Sequence, residues 1–347
     1  MQGKRMKRWL IGASVLFLMV SFFSANLFDQ FFTVGSSGHA LVPQSGPRIL
    51  TAATDFYEAL SPGQRKKAVF AYGGPEHEDW HFIPRARKGV ALNELNSSQR
   101  GKLTTLLKVS LSEIGYTKAE QVRQLESILA LLEGAGRRFA RDPELYFTSF
   151  FSAPSESGEW GWRFEGHHLC FNFTLKGNKV TSSTPAFYGA NPSIVDAGPG
   201  RVMRVLVDEE LLARQLVTSL TEKQRKACLG EEVPDEVPST QKMKYDGALP
   251  AGVAGSSLDD FQKALLKRLI GTHIQNFPTD IADAEWQRFA AGGGLDSVHF
   301  AWRGGTKHRD PHTYLVHGAS FVINYSNTQN SAAHIHSSYR RQDGDIR

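Results

Sequence analysis

The sequence predicts an α+β protein in which capped helices pack on antiparallel β-hairpins, and three observations carry that prediction. Apolar residues recur at helical spacing behind four similar capping phrases, period-two alternation is confined to separate stretches, and no βαβ succession links the two kinds. With 347 residues, 41% of them apolar and 22% charged, the chain can bury a sizeable core, and disorder, collagen and coiled coil are excluded.

The chain begins with Lys4, Arg5, Lys7 and Arg8, followed by an uncharged run of 15 residues from Trp9 to Phe23. A basic stretch ahead of an apolar run of that length is the pattern of a signal peptide. Phe23 is bulky for a cleavage site and Leu27, Phe28, Phe31 and Phe32 extend the apolar character, so residues 1–25 read either as a signal peptide or as a signal anchor. The expectation is an exported protein, periplasmic or extracellular, touching the membrane only through this segment, with residues 9–23 as the anchor if it is kept. The four leading cations are 4 of 40 basic residues, which leaves 36 against 35 acidic ones in the body. A nearly neutral body excludes a nucleic-acid-binding face. Residues 26–48 are rich in Gly, Ser and Pro towards their end and read as a flexible linker, placing the folded domain at 49–347.

Four helix starts announce themselves next. Ser61 with Gln64, Asn96 with Gln99, Thr221 with Gln224 and Asp259 with Gln262 each place a capping side chain three residues before a glutamine. This is the reciprocal capping box, which satisfies N–H groups that the first helical turn leaves free. Two such pairs lie 35 and 38 residues apart (64 to 99, 224 to 262), which suggests an internal two-helix duplication as the alternative to convergent capping. A further helix is expected over Lys118–Phe139, with Val122, Leu125, Ile128, Leu129 and Leu132 on one face and Arg137 and Arg138 in its last turn.

Alternation then predicts one long strand over Trp160–Leu175, a turn at Lys176–Lys179 and a return over Val180–Ser183. Further strands are expected over Val298–Trp302, Thr313–Val316 and Ser320–Tyr325, with turns at Gly304-Gly305 and His317-Gly318. Trp160, Trp162 and Trp302 read as core aromatics, with a sugar-stacking platform as the alternative. Cys170 and Cys228 are too few for a disulfide scaffold and leave a single bridge and two buried thiols both open. No GxSxG, HExxH, P-loop or GxGxxG pattern is present, Gly292–Gly294 reads as a helix-ending turn, and Arg141-Asp142-Pro143-Glu144 reads as a helix end with a local ion pair.

The histidines carry the chemistry. Strand alternation puts His167 on a face with Glu165, an imidazole–carboxylate pair, and His168 on the opposite face. His334 and His336 in an extended segment share a face about 6–7 Å apart, a spacing that a zinc or copper ion can bridge. His167, His168, His334 and His336 are therefore the metal-ligand candidates and Glu165 the orienter or general base. His81, His312, Asn327 and Gln329 are further candidates.

These residues carry a resemblance. Trp80-His81-Phe82-Ile83-Pro84, Arg141-Asp142-Pro143-Glu144, the run from Trp160 to His168, Thr184-Pro185 with Gly189-Ala190-Asn191-Pro192, Phe300-Ala301-Trp302, and Asn327–Asn330 with His334-Ile335-His336 resemble the family known as domain of unknown function 3500, DUF3500, over residues 49–345. The resemblance implies no established activity. It does imply acidic residues where this chain has Asn324 and Ser326, and a C-terminal extension ending in another histidine, which this chain lacks.

Two functional readings stand. The first is an exported zinc- or copper-dependent enzyme, a hydrolase in preference to an oxidase, acting on a small molecule or polymer. The second is a non-catalytic binding or structural protein in which the histidines are a degenerate site; Asn324 and Ser326 favour it.

Overall fold

The computed structural model describes residues 44–347, except 137, 197, 199–201, 231–232, 234–244, 246 and 347. The expected signal peptide or anchor, and the expected linker as far as residue 43, lie outside the described residues, while residues 45–48, also expected in the linker, open the first helix. Among the described residues no helix is long and apolar enough to cross a membrane. The fold is α+β, as the sequence predicts.

Along the chain the elements are α1 (Ser45–Ala59), α2 (Pro62–Ala68), β1 (Val69–Phe70), α3 (Pro75–Glu78), β2 (Val90–Ala91), α4 (Ser97–Ser110), α5 (Glu113–Glu133), β3 (Phe147–Phe151), β4 (Glu159–Gly166), β5 (Leu169–Lys176), β6 (Lys179–Ser182), β7 (Ala186–Ala190), β8 (Ile194–Asp196) and β9 (Val202–Arg204). There follow α6 (Val207–Ser219), α7 (Glu222–Cys228), β10 (Leu229–Gly230), β11 (Val253–Ala254), α8 (Asp260–Ile274), α9 (Thr279–Ala291), β12 (His299–Gly304), β13 (His312–His317), β14 (Phe321–Gln329) and β15 (His334–Arg341).

All four expected capping boxes form, with both reciprocal hydrogen bonds present in each. The glutamines do more than cap. Gln64 and Gln99 exchange side-chain hydrogen bonds, and Gln99 donates to Ala59 O. Gln224 and Gln262 do the same, with Gln262 donating to Ser219 O. Each pair thus ties two helix starts to the end of the preceding helix. The helix expected over Lys118–Phe139 instead spans Glu113–Glu133, because Ser112 caps it by accepting from Gly115 N and Gly134, at φ 68°, ends it.

A sheet of 13 strands runs in the order β1-β3-β4-β5-β7-β15-β14-β13-β12-β10, with β2 on β3, β6 on β5 and β11 on β12. The same arrangement occurs on both sides of its middle. β1 runs parallel to β3 and β2 antiparallel to it; β10 and β11 do likewise with β12. The hairpins β4–β5 and β13–β14 follow, and the antiparallel pair β7·β15 joins the sides. The recurrence is one of arrangement.

One face of the sheet meets the helices. Trp160, Trp162, Phe164, Phe171, Phe173 and Trp302 point there and merge with Ile49, Phe56, Leu106 and Leu266 in one apolar core. Burying each such large side chain is worth about 1.5–3 kcal/mol. The three tryptophans are core residues, fully covered. Cys170 and Cys228 are free, buried thiols. The opposite face is covered around β4, β5 and β7 by the segment after β1, where Trp80 and Phe82 pack on Cys170 and Phe187.

Candidate metal centre

The stretch read as one strand over Trp160–Leu175 is two, β4 and β5, and His167-His168 is the two-residue turn between them. His168 adopts φ 64°, the left-handed region a tight hairpin needs and a β-strand forbids. Period-two alternation therefore fails at this pair, and Glu165 and His167 do not form the expected strand pair. The turn is pinned from two sides: His168 N–H donates to Phe82 O at 2.9 Å, and Gly189 N–H to His168 O at 2.7 Å. Gly189 is required here, since a Cβ would lie 2.8 Å from His168 Cδ2.

β15 supplies the other half. His334 and His336 alternate to one face, with ring centroids 4.5 Å apart. Before them β14 bulges between Ser326 and Gln329, and Asn330, Ser331 and Ala332 all have φ between 52° and 56°. Three consecutive non-glycine residues in the left-handed region are rare and costly, and they swing the chain so that His334 faces the turn of the first hairpin.

The result brings His168, His334 and His336 together. Nε2 of His168 lies 2.9 Å from Nε2 of His334 and 3.1 Å from Nε2 of His336. Burial, then repulsion among neighbouring imidazoles, holds His168 well below the ordinary histidine pKa, and burial lowers His334 to about 3. Burial thus keeps the His168 and His334 rings neutral where their ring nitrogens converge. Donors on a tetrahedral ion bound at about 2.0–2.1 Å stand roughly 3.3 Å apart, so the cluster is close to the spacing that zinc takes. Phe82, stacked on Phe187 at 4.0 Å, walls His336 at 4.8 Å.

His167, expected as a ligand, turns elsewhere. It stacks on His168 at 3.7 Å and its Nδ1 sits 2.5 Å from Glu126 Oε1 on α5. Burial raises Glu126 to about 8 and holds His167 well below its usual range, so the pair is neutral overall, with the carboxyl proton shared towards the imidazole. Arg141, clamped by Glu133, approaches His167 Nδ1 at 3.2 Å. Glu126, His167 and His168 also place one ligating atom each within 4.8 Å of one another. Sequence reading missed Glu126 and Arg141. The signal was present for Glu126, a carboxylate within the Val122–Leu125–Leu129 stripe, where a solvated residue has no place.

Glu165 is engaged otherwise. It accepts from Arg163 at 3.0 Å and from His81 N–H at 3.1 Å, with Arg87 at 3.5 Å. Arg163, itself buried, donates to the carbonyls of Glu76, His77 and Asp79, so this pair fastens the covering segment to β4. His81 Nδ1 accepts from Phe82 and Ile83 N–H and steadies the same segment. His312 is on the helix-covered face, stacked on Trp302 at 4.5 Å, apart from the cluster. Asn327 Oδ1 accepts His334 N–H at 3.1 Å, and Gln329 pairs with His334 in the ladder. Ser326 is the cross-strand partner of His336, so one of the two positions where an acidic residue was implied adjoins the cluster.

The family model for DUF3500, a protein of unknown function, matches residues 43–346. The chain belongs to the DUF3500 family. No curated protein and no solved structure matches it significantly. The histidine cluster of this DUF3500 protein could hold a metal ion.

Proposed function

We propose that this DUF3500 protein is a metal-dependent hydrolase. The observation behind the proposal is the convergence of His168, His334 and His336 Nε2 atoms within 2.9 and 3.1 Å. Zinc or copper would suit three imidazoles; among the described residues the group includes no thiolate, which favours hydrolysis over electron transfer. Three protein ligands leave a position where a bound ion activates water or polarises a substrate oxygen. His167, hydrogen-bonded to Glu126 and approached by Arg141, stacks on His168 and fixes the orientation of that ring. Phe82 and Phe187 exclude bulk water from His336. We further propose export, on the basic stretch and apolar run at residues 4–23.

Elemental analysis of the full chain, purified without a polyhistidine tag, tests the reading. Near-stoichiometric zinc or copper that disappears in His334→Ala/His336→Ala, with ester hydrolysis abolished by a chelator and restored by the ion, is the expected result. A stable, metal-free chain that takes up neither ion removes it.

The second reading, a non-catalytic protein with a degenerate site, gains from Ser326 standing beside His336. Ser326→Asp decides its weight: if a carboxylate is missing there, metal affinity rises about tenfold, within the range that orienting partners of a ligand provide.

A further inference from the structure

A cleft of about 430 Å³ opens on the far side of His167, within the size range of small-molecule sites, roughly 300–1,000 Å³. His167 and Glu126 form part of its wall, so one imidazole separates it from His168. Its charged lining is mostly guanidinium: Arg85 and Arg87 from one side, Arg138 from the other. Asp79 pairs with Arg85 at 2.8 Å, and Arg87 donates to the carbonyls of His81, Ile83 and Gly166. Among the described residues Arg138 has no carboxylate partner and instead lies over the Phe139 ring at 5.1 Å, with Arg141 over the same ring at 5.8 Å. The carboxylates of the lining are engaged: Glu126 on His167, and Asp142 on the N–H of Glu144. The rest of the wall is apolar, with Phe139, Leu145 and Phe147.

We propose that this cleft binds a small organic anion with an apolar body and a carboxylate. The anion site stands on the cleft itself and is independent of the hydrolase reading. Guanidinium forks suit carboxylates in geometry and charge, and an apolar wall suits the body that carries one. Arg138 supplies the charge with no internal partner. Phe139 holds two guanidinium groups at the cleft and offers its edge to an aromatic or aliphatic body.

The test is calorimetric titration of the zinc-treated full chain with phenylacetate and with its neutral isostere phenylacetamide, with zinc content measured on the same samples. Phenylacetate is expected to bind at least tenfold more tightly, and Arg138→Gln is expected to cut that preference severalfold; Arg138 is exposed, so the variant folds. Equal affinity for the two probes in a zinc-bearing chain overturns the anion proposal and leaves the metal reading intact. A preference untouched by Arg138→Gln overturns the assignment to this cleft. Preference for phenylacetate in a chain without zinc upholds the anion site while removing the metal reading.

Discussion

The hairpins β4–β5 and β13–β14 occupy matching places in the sheet and are furnished differently. Phe150, Trp162 and Phe173 form one row across β3, β4 and β5; Trp302, Tyr314 and Tyr325 form the matching row across β12, β13 and β14. Two residues along, Trp160 pairs with Leu175 in the first hairpin and His312 with Asn327 in the second. The helices agree. Ile49 and Leu50 stand as far ahead of the C-cap Leu60 as Glu209 and Glu210 stand ahead of Leu220. The first side is apolar apart from Trp162 Nε1 and Thr148 Oγ1; among the described residues the other buries His312 Nε2, Tyr325 Oη, Asn327 Nδ2 and Glu209 Oε2 without hydrogen-bond partners. The tips differ in the opposite sense, Gly166-His167-His168-Leu169 against Gly318-Ala319-Ser320-Phe321. The lesson is that caps and register build the scaffold twice, while the occupants of a few rows and one turn decide where chemistry can sit.

The sharpest way to break this contrast is His168→Ser, which gives the first tip the residue of the second. Metal affinity should fall more than about a hundredfold in chelator competition, beyond the 10- to 100-fold effect of orienting residues alone. Retained metal would mean that His334 and His336 suffice.

Acid should act on both sides together. Burial lowers His77 and His273 to about 3 and His312 to about 4, below the unfolded value near 6.5. Below pH 6.5 the unfolded chain takes up protons that the folded chain refuses, so stability is full above that pH and is lost as pH falls towards 4. His273 alone should cost about 1.4 kcal/mol per pH unit in that window. A urea midpoint unmoved between pH 7 and pH 5 would contradict the burial of these rings.

The rows themselves can be exchanged. Phe173→Tyr buries a hydroxyl in the apolar core and should cost about 1–3 kcal/mol. Tyr325→Phe should change stability by less than about 0.5 kcal/mol, because Oη lies beside Asn327 without a hydrogen bond of normal geometry. Equal losses in urea melts would show that the second row carries a bound polar partner. The smallest effect concerns what the halves share: Asn96→Ala and Asp259→Ala should each cost about 1 kcal/mol and agree within about 0.5. Unequal costs would mean that the matching bonds of Gln99 and Gln262 sit in unequal surroundings.

Much of the helical frame was legible because a capping box is a local device: Ser61, Asn96, Thr221 and Asp259 hydrogen-bond three residues away, within reach of sequence reading. Strands β12 and β13 were found near their true limits for a similar reason, since alternation over a few residues reports a half-buried sheet, whereas β14, covered on both faces, was expected only as far as Tyr325 and runs to Gln329. β3, β7 and β15 were not found, because strands covered on both faces lose the alternation. Helices α1 and α6 went unread too, and of α9 only its end at Gly292 was read; among the described residues none of them has a side-chain cap hydrogen bond.

The sequence by itself determined the family, the α+β class, the four capped helix starts and the histidines worth following. Which histidines meet was decided by the tertiary structure alone. His168 and His334 are 166 residues apart, and what joins them is the β7·β15 pairing, a bulge in β14 and a left-handed turn residue. None of these leaves a periodic trace. The same holds for the exchange of Glu165 for Glu126: a carboxylate's partner is set by which helix lies across the sheet, and local spacing carries no record of that.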